Sequence, residues 1–435
     1  MSILFSDITV MDEYGKEYKN AFLGVSEGVI DYFDVLPPEK TYNRTYKGNG
    51  KMVMPGKYNA HAHAPMSLLR GRGENLPLDR WLNESIFPFE AHITDKESYT
   101  ATMLSIAEML RFGVVSFSDM HYNSSARAKA VIDSGIKANI EYTIVAFDKD
   151  VPYKKTEAYK VNSYCLKEFH GAGNGRLLYD GSIHAEYTTH PQIVKEVSQW
   201  ALDNNLRVQL HLSETADEVA GCIERHGVTP VAYFEKMGLF RVPCTAAHCV
   251  HLQDNDYEIL ARNKVFVAVN PASNAKLGSG IADVEGMLAA GITVCLGTDS
   301  VASNNNLNMH KDMYLLGLMQ RAMKRSPVGI TSGEIITIAT RNGACSQGRD
   351  DCGSIKIGNK ADLVVYNLET PWMQPIENLA SGFVYSAQGS DVCLTMVDGE
   401  VLYEDGEYKT IDIERVLFEV NQDRLSILDK MSKAN

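Results

Sequence analysis

The chain has 435 residues, of which 45% are hydrophobic and 22% charged. That length holds two or three domains, or one large α/β barrel with an appendage, and the composition excludes both a disordered chain and a small disulfide-stapled fold. With 42 Lys and Arg against 55 Asp and Glu, the net charge of −13 argues against nucleic acid as a partner.

The opening stretch MSILFSDITVMDEYG has no basic segment before an apolar run, so no secretory signal is expected. Nowhere do about 18 apolar residues follow one another, so no membrane span is expected either. The eight cysteines show no CxxC spacing and read as free thiols, consistent with a cytoplasmic location. Residues 1–55 are short alternating runs broken by Gly, Asp and Asn, the pattern of small antiparallel strands. Residues 353–412 read the same way, with hairpin-turn signals at Asp398–Gly399 and Asp405–Gly406. Two such ends predict one small β-sandwich domain built from 1–55 and 353–412.

The middle, 56–352, has another rhythm. Apolar runs recur, each ending in polar residues and followed by a helical pattern: VMPGKYNAHAH, GVVSFSDM, KANIEYTIV, LLYDGSIHA, RVQLHLSE, CTAAHCV, VFVAVNPASN and ITVCLGTDS. Near-continuous apolar strands are buried on both faces, as in parallel sheets. Eight of them alternating with helices predict an α/β fold, a (β/α)8 TIM-like barrel, with a doubly wound open sheet as the alternative. One helix shows the logic: Thr94 and Glu97 form a capping box before Tyr99, Met103, Ile106 and Leu110, and Gly113 follows its end. The run 148–160, after strand three, reads as a solvated loop. Residues 413–435 form an amphipathic helix through Ile413, Val416, Leu417, Val420, Ile427 and Leu428.

The chemistry-bearing residues fall at the carboxyl ends of the predicted strands, where barrel enzymes place their active sites. His61 and His63 end strand one, and period-two alternation puts both imidazoles on one side of it. His211 ends strand five, His248 strand six and Asp299 strand eight. A lone HxH also occurs as polar surface. Imidazoles and a carboxylate at four strand ends suit one divalent ion, Zn²⁺ or Fe²⁺, with a position left for water. Such an ion brings the pKa of water to about 7, His248 can take the water's proton, and Asp299 can orient the water or shuttle that proton.

The segments 55–71 (PGKYNAHAHAPMSLLRG), 211–218 (HLSETADE), 246–251 (AAHCVH), 270–280 (NPASNAKLGSG) and 297–309 (GTDSVASNNNLNM) resemble the amidohydrolase superfamily. Within it they look most like S-adenosylhomocysteine/5′-methylthioadenosine deaminases, near the triazine chlorohydrolases. The resemblance implies a mononuclear site with His61, His63, His211 and Asp299 as ligands and no organic cofactor. It implies that Glu214, three residues past His211, protonates the ring nitrogen beside the attacked carbon. It implies that Glu90 accepts hydrogen bonds from the ribose hydroxyls, for which an acceptor-only carboxylate is suited. It implies that His184, ending strand four, contacts the purine. Trp81 is a candidate to pack on the base or sugar. His121, after strand two, is expected to be structural.

The implied activity is hydrolytic deamination of a small molecule, adenosine or its 5′-methylthio, 5′-deoxy or S-homocysteinyl relatives. One departure bears on the substrate. Related deaminases direct arginines after strand three toward the amino-acid tail of S-adenosylhomocysteine; here that region offers only Lys149, Lys154 and Lys155, point charges without a bidentate fork. The alternatives are a deaminase or chlorohydrolase of another heteroaromatic ring (guanine, pterin or triazine) and a metal-free barrel serving as a scaffold. Barrel enzymes of this kind often form homo-oligomers, and no stretch of the sequence marks an interface.

Overall fold

The computed structural model describes residues 2–76 and 80–434. Eight parallel strands form the barrel. In order they are Lys57–Ala62, Val114–His121, Lys137–Tyr142, the pair Leu177–Tyr179 and Gly181–Ile183, Val208–Leu212, Cys244–His248, Phe266–Val269 and Val294–Leu296. Asp180 splits strand four, so its first half pairs with strand three and its second half with strand five. The ring closes where the backbone N–H groups of Thr298 and Asp299 donate to His61 O at 3.1 and 2.9 Å. Closure therefore draws the end of strand eight onto the end of strand one, and with it Asp299 onto the HxH pair.

Strands from both chain ends join in one nine-stranded sheet. Its faces separate by period two. Val53, Leu363 and Val365 meet Ile3, Phe5 and Leu23 in the core of the β-domain. Met52, Met54, Val364 and Tyr366, on the alternate positions, belong to the barrel-side core. Each fully buried large apolar side chain contributes about 2 kcal/mol, so one sheet both stabilises its own domain and seats it on the barrel. Both Asp-Gly signals form tight turns: Asp398 and Gly399 have φ of 47° and 75°, and Asp405 and Gly406 have φ of 47° and 97°. Two successive positive φ values are what a twisted two-residue hairpin requires.

The helix Asp95–Arg111 starts at its capping box, Thr94 N–H donating to Glu97 Oε2 at 3.1 Å. The helix Ile413–Ala434 packs on it through buried Val416, Val420 and Ile427, and Asp423 accepts from Lys96 Nζ and Thr100 Oγ1, each at 2.6 Å. Leu417 departs from the expected apolar stripe and faces solvent. The run 148–160 is only partly a loop: Thr156 Oγ1 accepts from Tyr159 N–H at 3.1 Å and caps the helix Glu157–Phe169, while Tyr153 is fully buried. Among the described residues no helix is long and apolar enough to cross a membrane.

Candidate active site

The strand ends bring His61, His63, His211, His248 and Asp299 to one place. Ring centroids of His61 lie 4.8 Å from His63, 4.9 Å from His211 and 5.4 Å from His248. Several rim residues sit in the left-handed region without being glycine: Ser213 (φ 50°), His248 (76°), Cys249 (49°) and Asp299 (58°). Such conformations cost on the order of 1–3 kcal/mol each and cluster where a site over-determines the backbone.

The hydrogen bonds of the rings define their inward faces. Nδ1 of His61 faces Gln209 Oε1 at 2.7 Å, Nδ1 of His63 the carbonyl of Met120, and Nδ1 of His211 the carbonyl of His184 at 2.9 Å. Nδ1 of His248 faces Asn274 Oδ1 at 2.8 Å. The nearest partner of each Nδ1 is an acceptor (at His248 the Asn270 amide nitrogen stands farther off, at 3.3 Å), so each Nδ1 carries the proton and each Nε2 keeps its lone pair. Those Nε2 atoms converge: His63 and His211 lie 3.4 Å apart, and Asp299 Oδ1 stands 3.2 Å from His63 and 3.7 Å from His61. Nε2 of His61 is buried without a hydrogen-bond partner. Lone pairs and a carboxylate oxygen facing one point are the donor set of a divalent ion, so these residues fit one.

Electrostatics agree. Burial pushes His61 down to about 3 and His184 to about 4, and holds His211 well below the usual imidazole range. Burial thus favours the neutral form that ligation requires at His61 and His211. Burial also opposes the charge on His63 and Asp299, but their mutual contact outweighs it, raising His63 and holding Asp299 well below the carboxylate range.

Glu214 sits behind this cluster, its Oε2 3.9 Å from His248 Nε2 and its Oε1 3.4 Å from Ser279 Oγ. Burial raises its pKa, against the pull of His248. Its backbone is fixed by Glu218, which accepts from the N–H groups of Ser213 and Glu214 at 2.8 and 2.7 Å. In front of the cluster lies a cleft. Its wall carries Trp81, Leu82, Ile86, Phe87 and Glu90 from one segment, with His121, His184, Glu214 and Asp299 around it. Glu90 Oε1 lies 3.0 Å from His121 Nε2, so His121 belongs to the cleft rather than to the packing alone. His184 faces Thr188 Oγ1 through Nδ1 at 2.9 Å. Among the described residues lining the cleft there is no lysine or arginine, and Lys149, Lys154 and Lys155 are exposed outside it.

Sequence reasoning missed the residues that hold the cluster: Gln209, Asn274, and Ser273 and Ser303, whose hydroxyls donate to Asp299 Oδ2 at 2.6 and 3.0 Å. The segments that carry the family resemblance contain three of the four, Ser273 and Asn274 in NPASN and Ser303 in GTDSVAS.

The model of the amidohydrolase family matches residues 52–402. A 5-methylthioadenosine/S-adenosylhomocysteine deaminase of Dictyoglomus thermophilum is 37% identical over 430 residues, 99% of this chain and 100% of that protein. A 5′-deoxyadenosine deaminase of Methanothermobacter thermautotrophicus is 35% identical over 416 residues, 96% of each. A solved adenosine deaminase from Xanthomonas campestris, with zinc bound, is 28% identical with a TM-score of 0.92 and 98% coverage of each chain.

Proposed function

This chain belongs to the amidohydrolase family, and from that premise we propose that it is a metal-dependent deaminase of adenosine-type nucleosides. It would convert them to the corresponding inosines with release of ammonia. The observation that carries the reading is the convergence of histidine lone pairs on Asp299 beside a buried Glu214, whose pKa burial raises.

His61, His63, His211 and Asp299 would hold one ion, with Zn²⁺ the metal proposed. A divalent ion there supplies Lewis acidity that makes water a nucleophile near neutral pH. His248 receives the proton that the attacking water gives up, its Nδ1 anchored on Asn274 so that Nε2 stays basic. Glu214 donates its proton to the ring nitrogen beside the attacked carbon, which makes that carbon electrophilic. The amino group then takes the proton held by His248 and departs as ammonia, while the proton of the newly added hydroxyl passes to the Glu214 carboxylate and leaves the ring carbonyl of the inosine. Glu90, steadied by His121, keeps its second oxygen for the ribose hydroxyls.

The cleft wall bears on the substrate. Leu82, Ile86 and Phe87 share a segment with Glu90, so a group attached to the ribose meets an apolar surface with no cation among its described residues. Neutral 5′ substituents, such as methylthio or deoxy, suit that surface better than a charged amino-acid tail. A panel of adenosine, 5′-methylthioadenosine, 5′-deoxyadenosine, S-adenosylhomocysteine and guanine, assayed with zinc, tests the proposal. Deamination of the neutral nucleosides is expected. Activity confined to the free base would overturn it.

A further inference from the structure

The last two residues of strand two touch both halves of the site. The carbonyl of Met120 takes the Nδ1 proton of His63, and the ring of His121 reaches Glu90. What fixes this segment lies behind it, on the helix Ser124–Ser134. Arg127 is fully buried there. Its Nη1 donates to Asp119 O and Asp119 Oδ2, both at 2.8 Å. Its Nε donates to Tyr122 O at 2.8 Å, and its Nη2 to His121 O at 2.7 Å and Ser124 Oγ at 3.1 Å. Three of these carbonyls, on residues 119, 121 and 122, flank Met120. Asp119 completes the frame, its Oδ1 accepting from the N–H of Ala64 at 2.6 Å, directly after His63. His63 is thus held twice by one buried ion pair: its ring through Met120 and its backbone through Asp119. Only a planar guanidinium, with five donors in a fixed fork, satisfies so many convergent acceptors.

We propose that Arg127 is a positioning residue that sets His63 toward the ion and His121 toward Glu90, coupling ion affinity to ribose recognition. The ribose half rests on the function proposed above; the ion half does not. The test compares Arg127→Lys and Asp119→Asn with Arg349→Lys. Arg349 is a buried arginine that grips carbonyls of Ala138 and Arg176 at the opposite end of the barrel. Zinc affinity is read by chelator competition, KM and kcat with 5′-methylthioadenosine, and stability by thermal unfolding of the metal-free proteins.

The folded Arg127→Lys and Asp119→Asn proteins should bind zinc about 10–100-fold more weakly and show a raised KM. Arg349→Lys should lose thermal stability alone. Should Arg127→Lys fail to fold, Asp119→Asn decides the ion half, and His121→Gln, with raised KM and unchanged zinc affinity, decides the ribose half. Zinc affinity and KM within twofold of the parent in the folded variants would overturn the proposal. A parent protein that binds zinc but deaminates no nucleoside would refute the proposed function, while the zinc comparison would still test the role of Arg127 at His63.

Discussion

Asp299 presents Oδ1 3.2 Å from Nε2 of His63, while its Oδ2 is turned away and held by two hydroxyls. The carboxylate is therefore oriented from behind by Ser273 and Ser303. Replacing both serines by alanine should lower zinc affinity by about 10–100-fold with the fold retained. Chelator competition on the double variant measures it, and an unchanged affinity would show that Asp299 needs no such support.

Glu214 supplies a pH signature. Burial raises its pKa, so its carboxyl keeps a proton at pH values where an ordinary carboxyl has lost it. The acid form is present below that pKa and disappears as pH rises through it, so kcat should fall on the alkaline side. Glu214→Gln should lower kcat by about 10²–10⁴-fold, remove that alkaline limb and leave zinc binding intact. Stopped-time assays across pH on both proteins check the three outcomes together.

Much of this was legible in the sequence. Strand-end histidines announce themselves because period two and the barrel rhythm locate them before any coordinates exist. The (β/α)8 barrel followed from eight apolar runs, the amidohydrolase resemblance from the motifs at the strand ends, and the terminal antiparallel strands from turn signals such as Asp398–Gly399. The supports of the site were less legible. Gln209 is a buried residue near the start of strand five, and its bond to His61 spans 148 positions of chain. His121 was expected to be structural because nothing local links it to Glu90. Leu417 fits an apolar stripe whose width only packing defines. Long-range hydrogen bonds and the breadth of a buried face are tertiary properties, and periodicity does not encode them.

Glu90 and His121 make a prediction about selectivity. Glu90→Ala should raise KM for nucleosides by roughly one or two orders of magnitude, the cost of leaving a diol unpaired, and should leave zinc content unchanged. Steady-state kinetics with paired metal analysis reads both. An equal loss on a free base would separate Glu90 from the ribose.

Lys57 opens strand one at the far end of the barrel, where its amine is buried against the hydroxyl of Tyr366. Burial pushes its pKa down to about 7. In the unfolded chain a lysine titrates near 10.4, so between pH 7 and about 10 the unfolded state binds more protons and stability rises with pH. Lys57→Met should therefore stabilise the protein most below pH 7, by up to about 5 kcal/mol less the lost hydrogen bond. The gain should shrink as pH rises toward 10. Denaturant melts at pH 6 and pH 9 test the sign, and a larger gain at the higher pH would contradict it.

The central claim is that His61, His63, His211 and Asp299 grip one ion on which nucleoside deamination depends. Titrating zinc into metal-free protein while following deamination of 5′-methylthioadenosine tests it most directly. Activity should rise from none and saturate at one ion per chain, with His211→Ala silent throughout. Full activity before any zinc is added, or saturation only at a second ion, would contradict the account.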